Sequence, residues 1–367
     1  MKRSTYLQPT GIFWDRNEPR AIDEADVPAW RGLPLAGGRL SFSALDVLTR
    51  VSGSATKRKT IVLGDAFSAD WGREGLAASD LLAAISTPRP RLGGMSLDKP
   101  RIMGIVNVTP DSFSDGGQLA NTRAAIDHAL RLEAEGADIL DIGGESTRPG
   151  SDAVMLDEEL RRVIPVIEGL RGKSRALISV DTRKAEVMRQ AAAAGADILN
   201  DVSALTHDPR ALDVAVESGL PVMLMHAQGD PKTMNDDPQY ADVVLDVFDF
   251  LESRISACEL AGIPRTKIIA DPGIGFGKHL HHNVAVMAGL SLYHGLGVPL
   301  LLGASRKKMI GQLCDVPEPK DRVPGSLACA IAGAQAGVQI VRVHDVKETH
   351  QALAVWRAAV AGSEAGL

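Results

Sequence analysis

The sequence has little of what marks a secreted or membrane-bound chain. Only three of its 367 residues are cysteines, Cys258, Cys314 and Cys329, and their odd number and lack of CxxC spacing argue against a disulfide framework. The N-terminal stretch is charged and lacks the apolar core of a signal peptide, and no apolar run approaches the roughly 18 residues of a membrane span. We therefore expect a cytoplasmic protein with reduced cysteines and no membrane partner.

A strong excess of one charge is also missing. The net charge is −6 and the pI is about 5.9, so the overall electrostatics give no reason to expect a nucleic-acid partner. Hydrophobic residues make up 45% of the chain and charged residues 23%, which is ordinary for a globular protein. The length accommodates one large domain and a smaller one.

From about residue 101 onward, short apolar runs alternate with helical patterns. The runs are rich in Val, Ile and Leu without strict alternation, as in parallel strands that are buried on both faces. Residues 122–136, 186–195 and 240–262 are helix candidates. Glycines that can close a helix in the left-handed conformation precede several runs, at Gly136, Gly195, Gly219, Gly262 and Gly337. The eight runs are 101–108, 137–144, 176–182, 196–202, 220–226, 267–275, 298–305 and 338–345.

Eight strand–helix units predict an α/β fold of the TIM (β/α)8 barrel type over residues 99–362. Such a barrel needs about 250 residues, which this span provides. A doubly wound open sheet is the alternative, but open sheets with this alternation usually stop at five or six strands. The count of eight therefore favours the barrel.

Residues 1–98 have a different composition and form a predicted N-terminal extension of unknown role. They contain three of the four tryptophans, Trp14, Trp30 and Trp71, and are too apolar for a disordered tail. The stretches 39–48 and 59–67 are compatible with a helix or with strands, and 86–100 reads as a linker. The extension could be a small appended domain, an arm across the barrel, or a separate binding module whose ligand nothing in the sequence names.

Every predicted barrel strand ends in a polar residue. In a barrel these side chains point to the top of the lumen, where catalytic residues are found. A pure scaffold would not need them there, because burying unpaired polar groups costs free energy. The strand-end residues are Asn107, Asp141, Asp181, Asn200, His226, Asp271, Ser305 with Lys307, and Arg342 with His344.

These side chains divide into two chemical types. Carboxylate, amide and ammonium groups suit the edge of a flat heterocycle that carries amide and amine groups, and Asp181, Asn200, Asp271 and Lys307 supply them. Arg342 and His344, together with Asn107, suit an oxyanion such as phosphate. The pattern thus predicts a heterocycle at the bottom of the pocket and a phosphate-like group at its rim.

The loops that follow the first two strands are long and distinctive. They read NVTPDSFSDGG at 107–117 and DIGGESTRPG at 141–150, and further motifs follow in order. These are VDT at 180–182, NDVSAL at 200–205, LMHAQG at 224–229, DPGIGFGK at 271–278, GASRKKMIG at 303–311 and RVHDVKE at 342–348. Together they resemble the dihydropteroate synthase family, whose members join a pterin diphosphate to p-aminobenzoate in folate biosynthesis. The resemblance covers nearly all of residues 101–350 and leaves out the first 98.

The resemblance implies a role for each matching position. Asp181, Asn200, Asp271 and Lys307 would hold the pterin, with Met225 packed on its ring. Asn107 would coordinate a Mg²⁺ ion bound to the diphosphate, which Thr147, Arg342 and His344 would contact. The candidates for direct participation in catalysis are Asn107, Asp115, Lys307, Arg342 and His344. The p-aminobenzoate pocket would be formed by Phe113, Asp115, Thr147, Arg148 and Pro149.

One position departs from the family pattern. Lys308 stands where some members have a small hydroxyl residue near the benzoate carboxylate, which leaves that contact open. The loop around Phe113 has no insertion and Pro149 is intact, so we expect sulfonamides to mimic p-aminobenzoate. The resemblance also suggests a homodimer through outer helices, and the small-residue stretch 325–337 could supply a face for it. A buried barrel helix explains that stretch at least as well.

Two other functions share parts of this pattern. A pterin-dependent methyltransferase would keep the barrel and the pterin-holding residues but would not need the phosphate-binding motifs. A non-catalytic pterin-binding paralogue would lack Asn107, Arg148, Lys307 or Arg342, and all four are present. The histidines at 279–282 are not expected to bind a metal, because no Cys or carboxylate follows at ligand spacing.

Overall fold

The computed structural model describes residues 4–15, 32–51, 55–63, 75–108, 117–145, 153–229, 234 and 236–363. Eight parallel strands in this part of the chain form one sheet. They are β5 (Arg101–Asn107), β6 (Ile139–Gly143), β7 (Leu177–Asp181), β8 (Ile198–Asp201), β9 (Val222–Met225), β10 (Ile268–Asp271), β11 (Leu301–Leu302) and β12 (Ile340–Val343).

The order of these strands in the sheet is β10-β9-β8-β7-β6-β5-β12-β11. The sheet closes where the Ala270 amide of β10 donates to the Pro299 carbonyl at 2.9 Å, next to β11. The predicted TIM barrel is therefore confirmed, and the open sheet is wrong.

Helices surround this barrel, and each predicted helix is present. The glycines that follow two of them, Gly195 and Gly262, have φ angles of 106° and 108°. A residue with a side chain is strained in this conformation, so these glycines end the helices as the sequence predicts. The helices are α1 (Gly75–Ser86), α2 (Gly117–Ala134), α3 (Leu156–Leu170), α4 (Ala185–Ala194), α5 (Ala211–Ser218), α6 (Val243–Ala261), α7 (Leu280–Ala288), α8 (Lys308–Cys314), α9 (Val323–Gln335) and α10 (Val346–Ala361). Short 3₁₀ helices span Arg265–Lys267, Leu290–Leu296 and Pro319–Asp321.

The segment predicted as a linker closes one end of the barrel. Leu92 and Leu97 are buried, and they pack into a cluster of side chains from the first halves of the strands. The strand members of this cluster are Met103, Ile139, Ile198, Met223, Ile269, Leu301 and Ile340. Because these residues fill the end where the strands begin, a ligand can enter only at the opposite end, where the strands finish.

The N-terminal extension contains an antiparallel sheet. Its long central strand β3 (Leu40–Thr49) pairs along one edge with β1 (Thr5–Trp14), and along the other edge with β2 (Leu33–Pro34) and β4 (Lys57–Val62). The sequence left helix and strand open for 39–48, and the strand is what forms. The predicted boundary between residues 98 and 99 stays a prediction.

The extension is packed against the barrel helices. Tyr6 is fully buried, and its ring meets the Phe248 ring of α6 edge-on with 5.4 Å between the centroids. Its hydroxyl donates to the Asp249 carboxylate at 2.7 Å. At the other end of β1, Trp14 meets Trp356 of α10 in a similar edge-on contact. The sheet is therefore an integral layer on the outside of the barrel, so of the alternatives left open by the sequence the arm agrees better with the structure than a freely appended domain.

Among the described residues, none of the helices is both long enough and apolar enough to cross a lipid bilayer.

Candidate active site

The polar residues predicted at the strand ends converge at the open end of the barrel. Asp181, Asn200 and Asp271 end or nearly end their strands and are all buried, although each is polar. Buried polar groups are costly unless they are partnered or reserved for a ligand. Some of the polar atoms at this end of the barrel have partners within the protein, and others are left without one among the described residues.

Arg342 joins two carboxylates across the lumen. Its Nε donates to Asp141 at 2.7 Å and its terminal nitrogen donates to Asp181 at 2.8 Å. The Asn200 amide approaches the Asp141 carboxylate at 3.3 Å, so Asp141 has its partners within the protein. Arg342 thus lies among the residues predicted for the pterin, and its predicted contact with the diphosphate stays a prediction.

Asp181 retains an unused acceptor. One carboxylate oxygen bonds to Arg342, while Oδ1 is buried without a hydrogen-bond partner among the described residues. Burial raises the pKa of Asp181 to about 7, against the opposing effect of Arg342. A ligand N–H group could pair with this oxygen, as predicted for the heterocycle edge.

Lys307 is held over the loop that follows β10. Its ammonium group donates to the Ile274 carbonyl and lies 4.1 Å from the centre of the Phe276 ring. Burial lowers the pKa of Lys307 to about 7, and the nearby Asp271 carboxylate opposes this shift. Gly275 has a φ of 83°, and a Cβ there would come within 3.1 Å of the lysine stem, so glycine keeps room for it.

Asp271 begins the same loop and is fixed by its backbone. Oδ1 accepts the Gly273 amide at 2.7 Å, and burial raises the pKa of the carboxyl against the effect of Lys307. Gly273 has a φ of 68°, and a Cβ there would lie 2.0 Å from the His226 carbonyl oxygen. Met225, predicted to pack on the ligand ring, is buried beside Asp271, its register partner on the neighbouring strand.

The residues predicted for the anion lie at the rim. His344 Nδ1 is 3.0 Å from the Ser305 hydroxyl, which also accepts the His344 amide. This pairing fixes the ring at the end of β12. Asn107 is half-buried at the end of β5.

Two further residues, Asp141 and Lys278, belong to the pocket or its support, and the sequence predicts a ligand role for neither. Asp141 followed the strand-end pattern, but nothing in the sequence shows that Arg342, 201 positions away, bonds to it. Lys278 is buried, and its ammonium contacts the Gly273 and Phe276 carbonyls at 2.9 and 3.1 Å and His226 Nδ1 at 2.8 Å. Lys278 ends the motif DPGIGFGK, and this position in a motif is the sequence signal that could have identified it.

Five predicted residues, Phe113, Asp115, Thr147, Arg148 and Pro149, lie outside the described residues. The chain on either side of the second loop is firmly held. Glu145 pairs with Lys184 at 2.9 Å, and it accepts the Val154 amide at 3.1 Å. The two described ends of that loop are therefore tied together by one buried carboxylate.

Within the described ranges, no group of three or more His, Cys, Asp or Glu side chains is arranged to hold a metal ion. The ring centroids of His281 and His282 are 3.9 Å apart, and His282 Nδ1 accepts the His279 amide at the start of α7. These histidines therefore form a helix-capping contact.

The comparisons with known proteins agree with this geometry. The family model described as "Pterin binding enzyme" matches residues 103–344. Dihydropteroate synthase of Escherichia coli strain K12 is 51% identical over 273 residues, which cover 74% of this chain and 96% of that protein. Dihydropteroate synthase of Bacillus subtilis is 46% identical over 251 residues, 68% of this chain and 85% of that protein.

Solved structures give the same result. A Xanthomonas albilineans dihydropteroate synthase with 4-aminobenzoic acid is 53% identical, with a TM-score of 0.70 over 74% of this chain and 98% of that one. A structure of the same enzyme with 7,8-dihydropteroate has a TM-score of 0.67 at 50% identity, over 74% of this chain and 98% of that one. A Yersinia pestis dihydropteroate synthase with a sulfonamide drug complex has a TM-score of 0.69 at 50% identity, over 72% and 96% of the two chains.

The fold and the pocket therefore define a pterin-binding enzyme of the TIM-barrel class. Within that class, the chain belongs to the dihydropteroate synthase family. It is a transferase that condenses 6-hydroxymethyl-7,8-dihydropterin diphosphate with p-aminobenzoate to give 7,8-dihydropteroate and diphosphate. The methyltransferase and the non-catalytic paralogue are set aside.

Proposed function

We propose that Asp181, Asn200, Asp271 and Lys307 hold the pterin in this synthase, with Met225 against its ring. The single observation that carries this assignment is the unpartnered, buried Oδ1 of Asp181. A carboxylate oxygen buried without a partner costs free energy, and a pterin N–H group would remove that cost. Lys307 and Asp271 both contact the loop after β10, and they supply a donor and an acceptor.

The diphosphate would then lie toward the rim, near Asn107 and His344. The family resemblance adds Arg342 and Thr147 as its contacts. The Asn107 amide oxygen fits Mg²⁺, which prefers oxygen ligands and usually combines a few protein ligands with substrate phosphates. A Mg²⁺ ion bound to the diphosphate would add positive charge at the leaving group. Asn107 would be its protein ligand.

The reaction requires the protein to stabilise charge and to exclude water. The bond between the methylene carbon and the diphosphate oxygen breaks, and diphosphate leaves with the bonding electrons. The amine of p-aminobenzoate forms the new C–N bond and releases a proton. Arg342 and His344 stabilise the departing diphosphate, while Asp181 and Asp271 favour positive charge on the pterin. No covalent intermediate with the protein is needed.

The p-aminobenzoate pocket would be built by Phe113, Asp115, Arg148 and Pro149 with Thr147. Lys308, exposed at the start of α8, is a candidate partner for the benzoate carboxylate. We propose that sulfonamides compete for the same pocket. A purified-enzyme assay in which a sulfonamide fails to compete with p-aminobenzoate would contradict this.

We also propose that the protein works as a cytoplasmic homodimer. On α9, Ser326, Ala330 and Gly333 face the protein interior, whereas Ala328 and Ala332 are exposed and leave a small-residue face for close packing. Light scattering of the purified full chain would give its mass in solution. A monomer at micromolar concentration would remove the homodimer from the proposal.

The first experiment is a steady-state assay with the pterin diphosphate, p-aminobenzoate and Mg²⁺. We expect Lys307→Ala and Arg342→Ala each to lower product formation by roughly 10²-fold or more, the size of effect seen when one charge-stabilising group is lost. Lys347→Ala, which removes an exposed cation at the start of α10, is the matched control and should retain full activity. Variants of Lys307 and Arg342 that turn over at the wild-type rate would overturn the assignment.

A further inference from the structure

A second crevice lies between the N-terminal sheet and the closed end of the barrel. It holds a cavity of about 40 Å³, bordered by Trp14, Arg39, Lys99, Trp356 and Arg357. Lys99 lies two residues before the start of β5, whereas Asn107 ends that strand. The crevice and the active site are thus separated by the length of β5, on the order of 20 Å. It belongs to no part of the pocket described above.

Arg357 is the unusual member of this crevice. The residue is only 8% exposed, and its Nε is buried without a hydrogen-bond partner in the described part of the chain. No described carboxylate forms an ion pair with it. Arg89 also has a buried Nε without a partner, but its terminal nitrogens donate to the backbone carbonyls of Ala84 and His294 at 2.8 and 3.0 Å. Among the described residues, the terminal nitrogens of Arg357 have no such acceptors.

Lys99 adds a second positive charge to the crevice, beside that of Arg357. Lys99 also has no ion-pair partner among the described residues, and burial together with repulsion from Arg357 and Arg101 lowers its pKa. The two nearby carboxylates are engaged by Arg101, which lies 3.2 Å from Asp138 and 3.6 Å from Asp98. Asp98 also borders the cavity, but its ion-pair partner is Arg101. Among the described residues, Lys99 and Arg357 therefore face the cavity as two cations without an ion-pair partner of their own.

An uncompensated buried cation is expensive in free energy, because the group loses its hydration and gains no partner. A guanidinium beside an ammonium offers the donors that carboxylate and phosphate oxygens prefer. The cavity volume accepts about three water-sized atoms, which suits a carboxylate or the inner oxygens of a tetrahedral oxyanion whose outer oxygens stay at the mouth.

We propose that Lys99 and Arg357 form an oxyanion-binding site between the N-terminal sheet and the barrel, taking the phosphate or carboxylate group of a small molecule. Arg39, exposed at the edge of the crevice, extends the positive surface toward solvent. The bound anion would hold a residue of the loop before β5 and a residue of α10 together, and it would stabilise the junction between sheet and barrel.

Crystals of the full chain soaked in selenate test the location directly, because selenium gives an anomalous signal. We expect a peak within hydrogen-bonding distance of Lys99 Nζ or the Arg357 guanidinium. Thermal unfolding with inorganic phosphate and, in parallel, with acetate tests affinity and separates the two anion types. When the anion exceeds its Kd tenfold, the Tm should rise by about 2 °C.

Variants separate this site from anion binding in the active site. Lys99→Gln and Arg357→Gln should lose most of the Tm gain, whereas Lys347→Gln, an equal change of charge elsewhere on α10, should retain it. Without added oxyanion, Arg357→Gln should be at least as stable as the wild type, because an unpaired charge is removed. If Arg357→Gln does not fold, the Tm gain of Lys99→Gln alone tests the proposal.

Three outcomes would overturn the proposal. The first is a selenate soak that fills other sites and leaves this crevice empty. The second is an equal Tm gain in wild type, Lys99→Gln and Lys347→Gln. The third is a peak that appears only at crystal concentration, without any shift of Tm at 10 mM or so of phosphate or acetate, since binding that weak has no role in solution.

Discussion

Arg50 lies 3.0 Å from both Asp246 and Asp249, and so joins the end of β3 in the N-terminal sheet to the first turns of α6. The same guanidinium donates to the Tyr6 hydroxyl at 3.0 Å, and that hydroxyl donates to Asp249. All three partners of Arg50 are mostly shielded from solvent. The extension is thus attached by a closed polar network in addition to apolar packing.

We expect Arg50→Ala to lower the free energy of unfolding by about 2–3 kcal/mol, because it removes the donor to Asp249 and to the buried Tyr6 hydroxyl as well as the ion-pair partner of Asp246. Tyr6→Phe, which leaves the Arg50–Asp249 pair intact, should cost about 1 kcal/mol. Arg58→Ala is the control, since Arg58 is 61% exposed and lies 3.6 Å from Asp46, and it should cost less than about 0.5 kcal/mol. Urea denaturation measures all three. Equal costs for Arg50→Ala and Arg58→Ala would show that the network does not stabilise the fold.

Truncation from the N-terminus tests the barrel floor, which is the cluster that Leu92 and Leu97 form with side chains from the first halves of the strands. A chain that starts at residue 87 loses the sheet and α1 but keeps Leu92 and Leu97 in the floor, whereas one that starts at residue 99 loses both. Burial of two leucines stabilises by roughly 3–6 kcal/mol. We therefore expect the shorter chain to unfold at lower urea and to be more prone to aggregate. If the two truncations have the same stability, the floor contact contributes nothing.

The barrel was predictable because its signals are local. Strands buried on both faces read as apolar runs, and glycines such as Gly195 and Gly262 mark the helix ends a few residues before the next strand. The strand-end rule then located Asp181, Asn200 and Asp271 at one end of the barrel without any knowledge of their partners.

What the sequence could not predict depends on contacts between distant positions. The stretch 39–48 forms a strand because Leu48 pairs with Tyr6 and Asp46 with Gln8, and no local pattern specifies those partners. The segment predicted as a linker closes one end of the barrel, because Leu92 and Leu97 pack in one cluster with residues from most of the barrel strands. The bonds from Arg342 to Asp141 and Asp181 span more than 150 positions, so only the closed barrel reveals them.

The glycine at position 273 offers a matched comparison with Gly172. Both have a positive φ, 68° and 77°, but a Cβ at Gly273 would lie 2.0 Å from the His226 carbonyl oxygen, while one at Gly172 would meet nothing within 4 Å. Gly172→Ala should therefore cost only the backbone strain, about 1 kcal/mol. Gly273→Ala must in addition displace the loop that holds Lys307 and Asp271. We expect it to lower kcat/KM by at least about tenfold, measured with both substrates, while Gly172→Ala retains wild-type kinetics. Unchanged kinetics in Gly273→Ala would mean that the loop tolerates displacement.

The buried Lys278 should act on the pocket through the same loop. Its ammonium group donates to the Gly273 and Phe276 carbonyls and to His226, so Lys278→Met removes one donor from three acceptors in a buried place. We expect a loss of about 3 kcal/mol or more in stability and a higher KM for the pterin substrate, with a smaller effect on the KM for p-aminobenzoate. Lys267→Met, which removes a lysine whose ammonium bonds to the exposed Gly219 carbonyl, is the control. A proportional rise of both KM values would indicate general unfolding of the site.

The pKa values of Asp181 and Lys307 predict opposite slopes of stability with pH. The folded pKa of Asp181 is raised to about 7, so the folded state binds more protons than the unfolded state between about pH 4 and 7, and stability falls across that range. The folded pKa of Lys307 is lowered to about 7, so the unfolded state binds more protons between about pH 7 and 10, and stability rises there.

Asp181→Asn should therefore reduce the fall in stability between pH 4 and 7, and Lys307→Met should reduce the rise above pH 7. Each change should amount to about 1 kcal/mol or more, since one pKa unit corresponds to about 1.4 kcal/mol. Urea denaturation of both variants and the wild type at pH 5, 7 and 9 measures the slopes, with Lys347→Met as the exposed control. Should all four proteins show parallel curves, Asp181 and Lys307 would titrate as exposed groups do. Asp181 and Lys307 would then not provide the electrostatic environment proposed for the pterin.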